Sequence, residues 1–245
     1  MNPVAFTVFG WPVRWYGICL TLGIIAGVII ATRLAKERDI DEDHIWTMIL
    51  WAIPMSVIGS RIYYVIFQWP HYAGNLGEIF AIWHGGLAIH GTIIAGALTV
   101  IICCKYYKLD FFKVADCFAP ALILGQAIGR WGNFFNQEAH GTVTNLPWAI
   151  NVHGEMVHPT FLYESLWDLG VFIILMILFK KRRQEGNLIL IYLMLYSVGR
   201  FFIEGLRTDS LMIGPLRQAQ VISIVLFVGA LLIYLYRQRR AARKS

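Results

Sequence analysis

Charge is scarce in this 245-residue chain: Asp, Glu, Lys and Arg make up 15% of it, while 58% is hydrophobic. An ordinary soluble domain is about a quarter charged, so there are too few charges here to cover a water-facing surface. That excludes a soluble enzyme, a disordered regulator and a collagen-like chain. Cysteine is sparse as well. Cys19, Cys103, Cys104 and Cys117 all lie inside apolar runs, the pattern of small buried hydrophobes and not of a disulfide framework. No ligand set with metal spacing occurs, so neither a metal nor another cofactor is expected. The amino terminus has no basic segment and no small-residue cleavage pattern, so its first apolar run reads as a retained span and not a signal peptide. No internal repeat is visible, which withholds support from an inverted-repeat transporter.

Long apolar runs are what the sequence does have. A membrane span needs about 20 mostly apolar residues, and seven candidates emerge: Trp15–Thr32, Ile45–Trp69, Leu87–Tyr107, Phe111–Ile128, Phe161–Phe179, Leu188–Ile203 and Ala219–Tyr236. Nine Trp and eleven Tyr suit a protein that meets two membrane–water interfaces. Pro120 predicts a kink in the fourth span. The sixth is short before Arg200, so its outer end should be polar or cavity-lined. The expected architecture is one all-α polytopic membrane domain over residues 1–245, with seven transmembrane helices and a small outward head segment at 129–160.

Fifteen of the 21 Lys and Arg fall in four segments, 33–38, 105–113, 180–183 and 237–244, which alternate onto one side. By the positive-inside bias that side is cytoplasmic, placing the carboxyl terminus inside and the amino terminus outside. The net charge of +6 forms no stripe along a polar face, so no nucleic-acid partner is expected. The bases away from the clusters are all arginine: Arg14, Arg61, Arg130, Arg200, Arg207 and Arg217. Arginine presents a planar fork suited to phosphate, whereas lysine is a point charge.

Three constellations could carry chemistry. The densest is Gly129-Arg130-Trp131-Gly132-Asn133-Phe134-Phe135-Asn136-Gln137-Glu138-Ala139-His140-Gly141, beginning where the fourth span ends. It reads either as a polar loop capping a helix or as a site rich in hydrogen-bonding groups. The second is Trp83-His84-Gly85-Gly86-Leu87. His84 reads as a proton-transfer group, since imidazole titrates near neutrality, or as an interfacial ring packed on Trp83. In the third, Tyr196, Arg200, Glu204 and Arg207 share one helical face. An ionisable residue in a span is a functional hypothesis by default, although Arg200 and Glu204 could also form a structural pair. Weaker signals are His158-Pro159-Thr160-Phe161-Leu162-Tyr163-Glu164 with Asp168 one turn on, Arg14-Trp15-Tyr16-Gly17 as an aromatic anchor, and Arg61 as a structural or headgroup contact.

At these residues the sequence closely resembles the bacterial prolipoprotein diacylglyceryl transferases. The resemblance rests on R-W-Y-G (14–17), H-G-G-L (84–87), G-R-W-G-N-F-F-N-Q-E-A-H-G (129–141), H-P-T-F-L-Y-E (158–164) and G-R-F-F-I-E-G-L-R (199–207). It implies a multi-pass enzyme of the bacterial inner membrane. Such an enzyme moves the diacylglyceryl group of phosphatidylglycerol to the lipobox cysteine of a prolipoprotein signal peptide. It also implies that Arg130 and Arg200 are the essential arginines. Tyr16, Asn133, Glu138, Gly141, Tyr196 and Glu204 match positions that bind substrate, and His84 matches a position that matters; its imidazole is the candidate base, with the substrate's own thiolate fraction as the alternative. Phe161 departs from the H-P-x-Q-L-Y-E pattern, removing one polar contact, and the outer segment 142–157 is short.

That activity suits the residues. Phosphatidylglycerol is an anionic phosphodiester at the lipid interface, and arginine forks could stabilise the charge on its leaving phosphate. Two other classes stay open: a polytopic lipid transporter or receptor with an arginine headgroup site, and an intramembrane hydrolase. The hydrolase lacks a G-x-S-x-G elbow in the outer segments.

Overall fold

The computed structural model describes residues 2–181 and 184–243. Arg182, Arg183 and Lys244, counted above in the basic clusters, lie outside the described residues. Among the described residues eight α-helices run in chain order: α1 Trp15–Lys36, α2 Glu42–Phe67, α3 Trp69–Tyr72, α4 Ile89–Tyr106, α5 Phe111–Asn136, α6 Thr160–Lys180, α7 Asn187–Glu204 and α8 Gln218–Ala242. All but the single-turn α3 are long and apolar enough to cross a membrane, and these seven coincide with the seven apolar runs of the sequence. The protein is an all-α polytopic membrane protein.

Helix ends depart from the apolar runs for local reasons. α2 begins three residues early because the Asp41 side chain accepts from the Asp43 N–H at 3.0 Å, satisfying one of the donors a helix start leaves open. α5 passes through Pro120 without ending and continues eight residues beyond the expected Ile128. Its added turns carry Arg130, Asn133 and Asn136, spaced three apart and so on one face. The first eight residues of the long motif are therefore helix; its loop is confined to 137–141.

The chain divides into two compact units, residues 1–31 with 115–245, and residues 32–114. In the first, α5 is the most enclosed helix, with half of its most apolar stretch buried against 11% for α8. Ala119, Ile123 and Ala127 of α5, Val171 and Leu175 of α6, and Leu188 and Leu190 of α7 form its core. Asp116, an apparent liability in a span, accepts from the Gly186 N–H at 2.7 Å and the Ile189 N–H at 2.9 Å. It thus caps the start of α7, where open donors and the helix dipole favour an anion. Leucine, isoleucine and valine on the remaining faces of α1 and α8, such as Ile25, Ile29, Val225 and Leu232, are exposed. Such a surface suits lipid and would be a liability in water.

Three two-stranded antiparallel hairpins belong to the same unit: β1 Val4–Val8 with β2 Trp11–Arg14, β3 Ile150–Val152 with β4 Glu155–Val157, and β5 Met212–Ile213 with β6 Leu216–Arg217. Two-residue turns with positive φ close the first two, Phe9-Gly10 and His153-Gly154, matching the twist of the strands they join. In the second unit α2 packs along α4, with Ser60 Oγ donating to Ala88 O at 3.0 Å and Ser56 Oγ to Thr92 O at 3.2 Å. Two 3₁₀ turns, Leu76–Phe80 and Ile82–His84, lead from α3 into α4.

Candidate active site

Three helix ends of the first unit bring their charges together. Arg130 stands near the end of α5, Glu164 early in α6 just past its first turn, and Arg200 and Glu204 in the last turns of α7. Glu164 is the hub. Its carboxylate meets Arg130 Nε at 2.5 Å and pairs with Arg200 Nη1, while Arg207 Nη1 lies 4.0 Å away. Arg200 Nη2 turns to Glu204 at 2.7 Å, the helical i,i+4 pair expected from the sequence. Glu164 and Glu204 are buried, but the Arg130 and Arg200 side chains keep 21% and 17% exposure. The guanidinium groups are held in place without being sealed.

α7 ends at Glu204, so Arg207 does not continue its face as the spacing had implied. A turn through Gly205 and Leu206 nevertheless returns Arg207 to the cluster, with Nε 3.8 Å from Glu204. Arg207 Nε and Nη2 also donate to Asp209 at 3.0 and 2.9 Å. Burial works against the Arg207 charge, but Asp209, Glu204 and Glu164 outweigh it and hold the guanidinium above its ordinary value. Burial likewise raises the Asp209 carboxyl, yet the hydrogen bonds and charge of Arg207 leave it below the usual carboxylate range. Ser210 Oγ donates to Glu204 at 2.6 Å and Arg217 Nη1 to the Glu204 carbonyl at 2.5 Å, fastening the β5–β6 hairpin to this end of α7. Arg130, Arg200 and Arg207 thus face the carboxylates of Glu164, Glu204 and Asp209, with the buried Asp168 one turn beyond Glu164.

Around the cluster, Tyr16 lies against Gly132 of α5, and Tyr196, one turn before Arg200, has its ring 6.0 Å from that of Tyr192. Asn133 and Glu138, both in the long motif, meet directly. Glu138 Oε1 accepts from Asn133 at 3.0 Å and from Asn136 at 3.2 Å, closing the turn in which Gln137 and Ala139 adopt positive φ. Gly141 pairs with Arg207 as an isolated bridge and donates to His158 O at 3.0 Å. A Cβ there would fall 2.6 Å from the His158 Cβ and 3.2 Å from Leu206 O, so no larger residue fits. Phe161, where the resemblance implied glutamine, is buried against Trp131 at 5.4 Å and Phe134 at 4.8 Å. The polar contact is replaced by an aromatic one.

His84 belongs to the second unit. It is exposed, and its Nδ1 lies 3.1 Å from the Glu78 carboxylate. Its ring meets that of Trp83 edge-on at 5.9 Å, so both sequence readings keep a physical basis. The same segment holds a histidine that the sequence reading passed over. His90, in the first turn of α4, is half-buried with its ring 5.7 Å from Tyr63. Glu164 was the larger omission, noted only as a weak signal. Its importance comes from partners 34 and 36 residues away on other helices, which no local spacing reveals. Among the described residues no group of three or more His, Cys, Asp and Glu could hold a metal ion.

Comparison with known proteins gives the constellation a context. Residues 3–236 match the family described as prolipoprotein diacylglyceryl transferase. The phosphatidylglycerol–prolipoprotein diacylglyceryl transferase of Finegoldia magna is 52% identical over 95% of this chain and 94% of its own length. That of Clostridioides difficile is 52% identical over 98% and 97%, and that of Listeria innocua 45% identical over 97% and 90%. The cluster around Glu164 therefore lies inside a match that spans almost the whole sequence, and the chain belongs to the prolipoprotein diacylglyceryl transferase family.

Proposed function

We propose that the chain transfers the sn-1,2-diacylglyceryl group of phosphatidylglycerol to the lipobox cysteine of prolipoproteins, the first step of lipoprotein maturation. Family membership carries the reaction, and the observation that supports its location is the Glu164-centred arginine cluster. The lipid's single phosphodiester charge complements guanidinium groups that remain partly open at the ends of α5 and α7. The setting we propose is the bacterial inner membrane, with the amino terminus and the cluster facing outward and the carboxyl terminus in the cytoplasm.

In this reading the cysteine sulfur, as thiolate, attacks the glyceryl carbon that bears the phosphate. A carbon–sulfur bond forms as the carbon–oxygen bond breaks, and glycerol phosphate leaves with one more negative charge than it had in the diester. Arg130 and Arg200 meet that developing charge with paired N–H donors, the arrangement that stabilises an anion most in a partly dry site. Glu164 and Glu204 hold the two forks in fixed orientation, so little reorganisation accompanies the reaction. Asn133, Glu138 and Gly141 shape the adjoining turn for the signal peptide, while Tyr16 and Tyr196 border the lipid. A thiol with a pKa near 8.5 is mostly protonated at neutral pH, and His84, oriented by Glu78, takes its proton. His90 is the rival base because it is the better sheltered of the two.

The direct test incubates purified protein with phosphatidylglycerol and a lipobox peptide and looks by mass spectrometry for the diacylglyceryl thioether. A peptide with serine in place of the cysteine should stay unmodified, because a hydroxyl is far harder to ionise. Binding of lipid without any thioether would instead favour a headgroup receptor or transporter.

A further inference from the structure

Arg61, in the outer half of α2, is buried, and among the described residues it makes no ion pair. Its partners are main-chain carbonyls. Nε donates to Ile79 O at 2.8 Å, Nη1 to Gly85 O at 2.7 Å and Gly86 O at 2.9 Å, and Nη2 to Glu78 O at 2.5 Å and Ala81 O at 3.4 Å. All five N–H groups of the guanidinium are thereby used, and its face rests 5.1 Å from the Tyr72 ring. The fork grips the loop on both sides of His84: at 78–81, which carries Glu78, and at 85–86. Gly85 and Gly86 adopt φ of +88° and +74°, turning their carbonyls toward the guanidinium. A Cβ on Gly86 would collide with Arg61 Nη1 and lie 3.0 Å from the Tyr64 ring. Ala88, two residues on, is tied to the residue beside Arg61, donating to Ser60 O at 3.3 Å.

We propose that Arg61 is a positioning residue for the transfer reaction, fixing the His84–Glu78 pair through the loop backbone; this rests on the assignment of His84 as the base. A headgroup contact is a poor use of this side chain, since it has no N–H left to offer a phosphate. A planar five-donor fork can define the path of two chain segments at once. Lysine, with three donors at one point, cannot.

The test uses the full chain with phosphatidylglycerol and a lipobox peptide. Arg61→Lys should retain folded yield but speed amide exchange at residues 78–86, leaving the middle of α4 unchanged. It should lower kcat about 100-fold, the size of effect that a 1 Å misplacement produces, with KM for the lipid unaltered. Introduced into His84→Gln, it should cost nothing further. Should Arg61→Lys fail to fold, Gly86→Ala attacks the same clamp from the loop side and should give the same signature. A loss that multiplies with that of His84→Gln, a loss confined to KM, or unchanged loop exchange with full activity would each overturn the proposal. A fully active His84→Gln single variant would remove the base assignment itself, and the positioning role with it.

Discussion

Glu164 and Arg130, on adjoining ends of α6 and α5, meet at 2.5 Å with the carboxylate buried and the guanidinium still partly open. A buried carboxylate shared among arginines is their common counter-ion. What it can do is keep positive charge concentrated where a phosphate would dock, and keep the forks from collapsing onto one another.

Glu164→Gln should therefore harm both stability and activity. Removing one partner of a buried pair typically costs about 3–5 kcal/mol because the other charge is left uncompensated. The melting temperature in detergent should fall clearly and turnover with it, with Glu164→Asp intermediate. A variant that melts and turns over like the parent would show that the arginines are balanced elsewhere.

Arg130→Lys and Arg200→Lys retain charge but lose the fork. Each should reduce turnover by about 100- to 1000-fold, the usual cost of losing an oxyanion donor. Kinetics with phosphatidylglycerol and peptide check this, and free substitution by lysine would reduce the arginines' role to plain attraction.

The two histidines separate by pH. His84→Gln should lose most activity at neutral pH and regain part of it as the pH approaches the thiol pKa near 8.5, whereas His90→Gln should keep the parent profile. A reversed pattern would move the base to the first turn of α4. Persistent inactivity of His84→Gln at high pH would make that residue a lipid-positioning group.

Gly141→Ala has no room for its methyl, which would press on His158 and the Leu206 carbonyl. The bridge to Arg207 should open, and with it the placement of Arg207 in the cluster. Turnover should fall while far-ultraviolet circular dichroism keeps its helical signature. Undiminished turnover would show that the head tolerates this displacement.

Asp209 supplies a pH signature. Its carboxyl is held below the usual range in the folded protein, so its stabilising pair with Arg207 is complete above the ordinary value of about 3.9. The pair is lost as pH falls through the lower folded value. With the carboxylate 49% exposed, screening keeps its contribution to about 1 kcal/mol or less. Amide protection of residues 208–217 should hold from neutral pH down to mild acid and then decline, and Asp209→Asn should lack it even at pH 7. Equal protection in the two proteins would mean that Ser210 and Arg217 suffice to hold the hairpin.

The seven spans were legible because a run of about 20 apolar residues has few other uses. The hairpins were not, because strands of two to five residues leave no durable alternation. α5 was read short because its last turns are polar, and hydropathy cannot separate a helix that outruns its apolar stretch from a loop. The arginine–glutamate face of α7 was visible in its spacing of four. Glu164 and Asp116 were not interpretable in the same way, since each finds its partners across the bundle. Arg61 is a similar case: its partners are backbone carbonyls, which sequence does not distinguish from one residue to the next.

The bridge between Gly141 and Arg207, reinforced by Thr142 N–H donating to Leu206 O at 2.9 Å, ties the end of α5 to a segment that is synthesised only after α6 and α7. A nascent chain halted before α7 would already carry Arg130 and Glu164 but neither Arg200 nor the strand that completes the turn. The cluster around Glu164 thus gains Arg200, Glu204 and Arg207 only once α7 and the segment after it have been made.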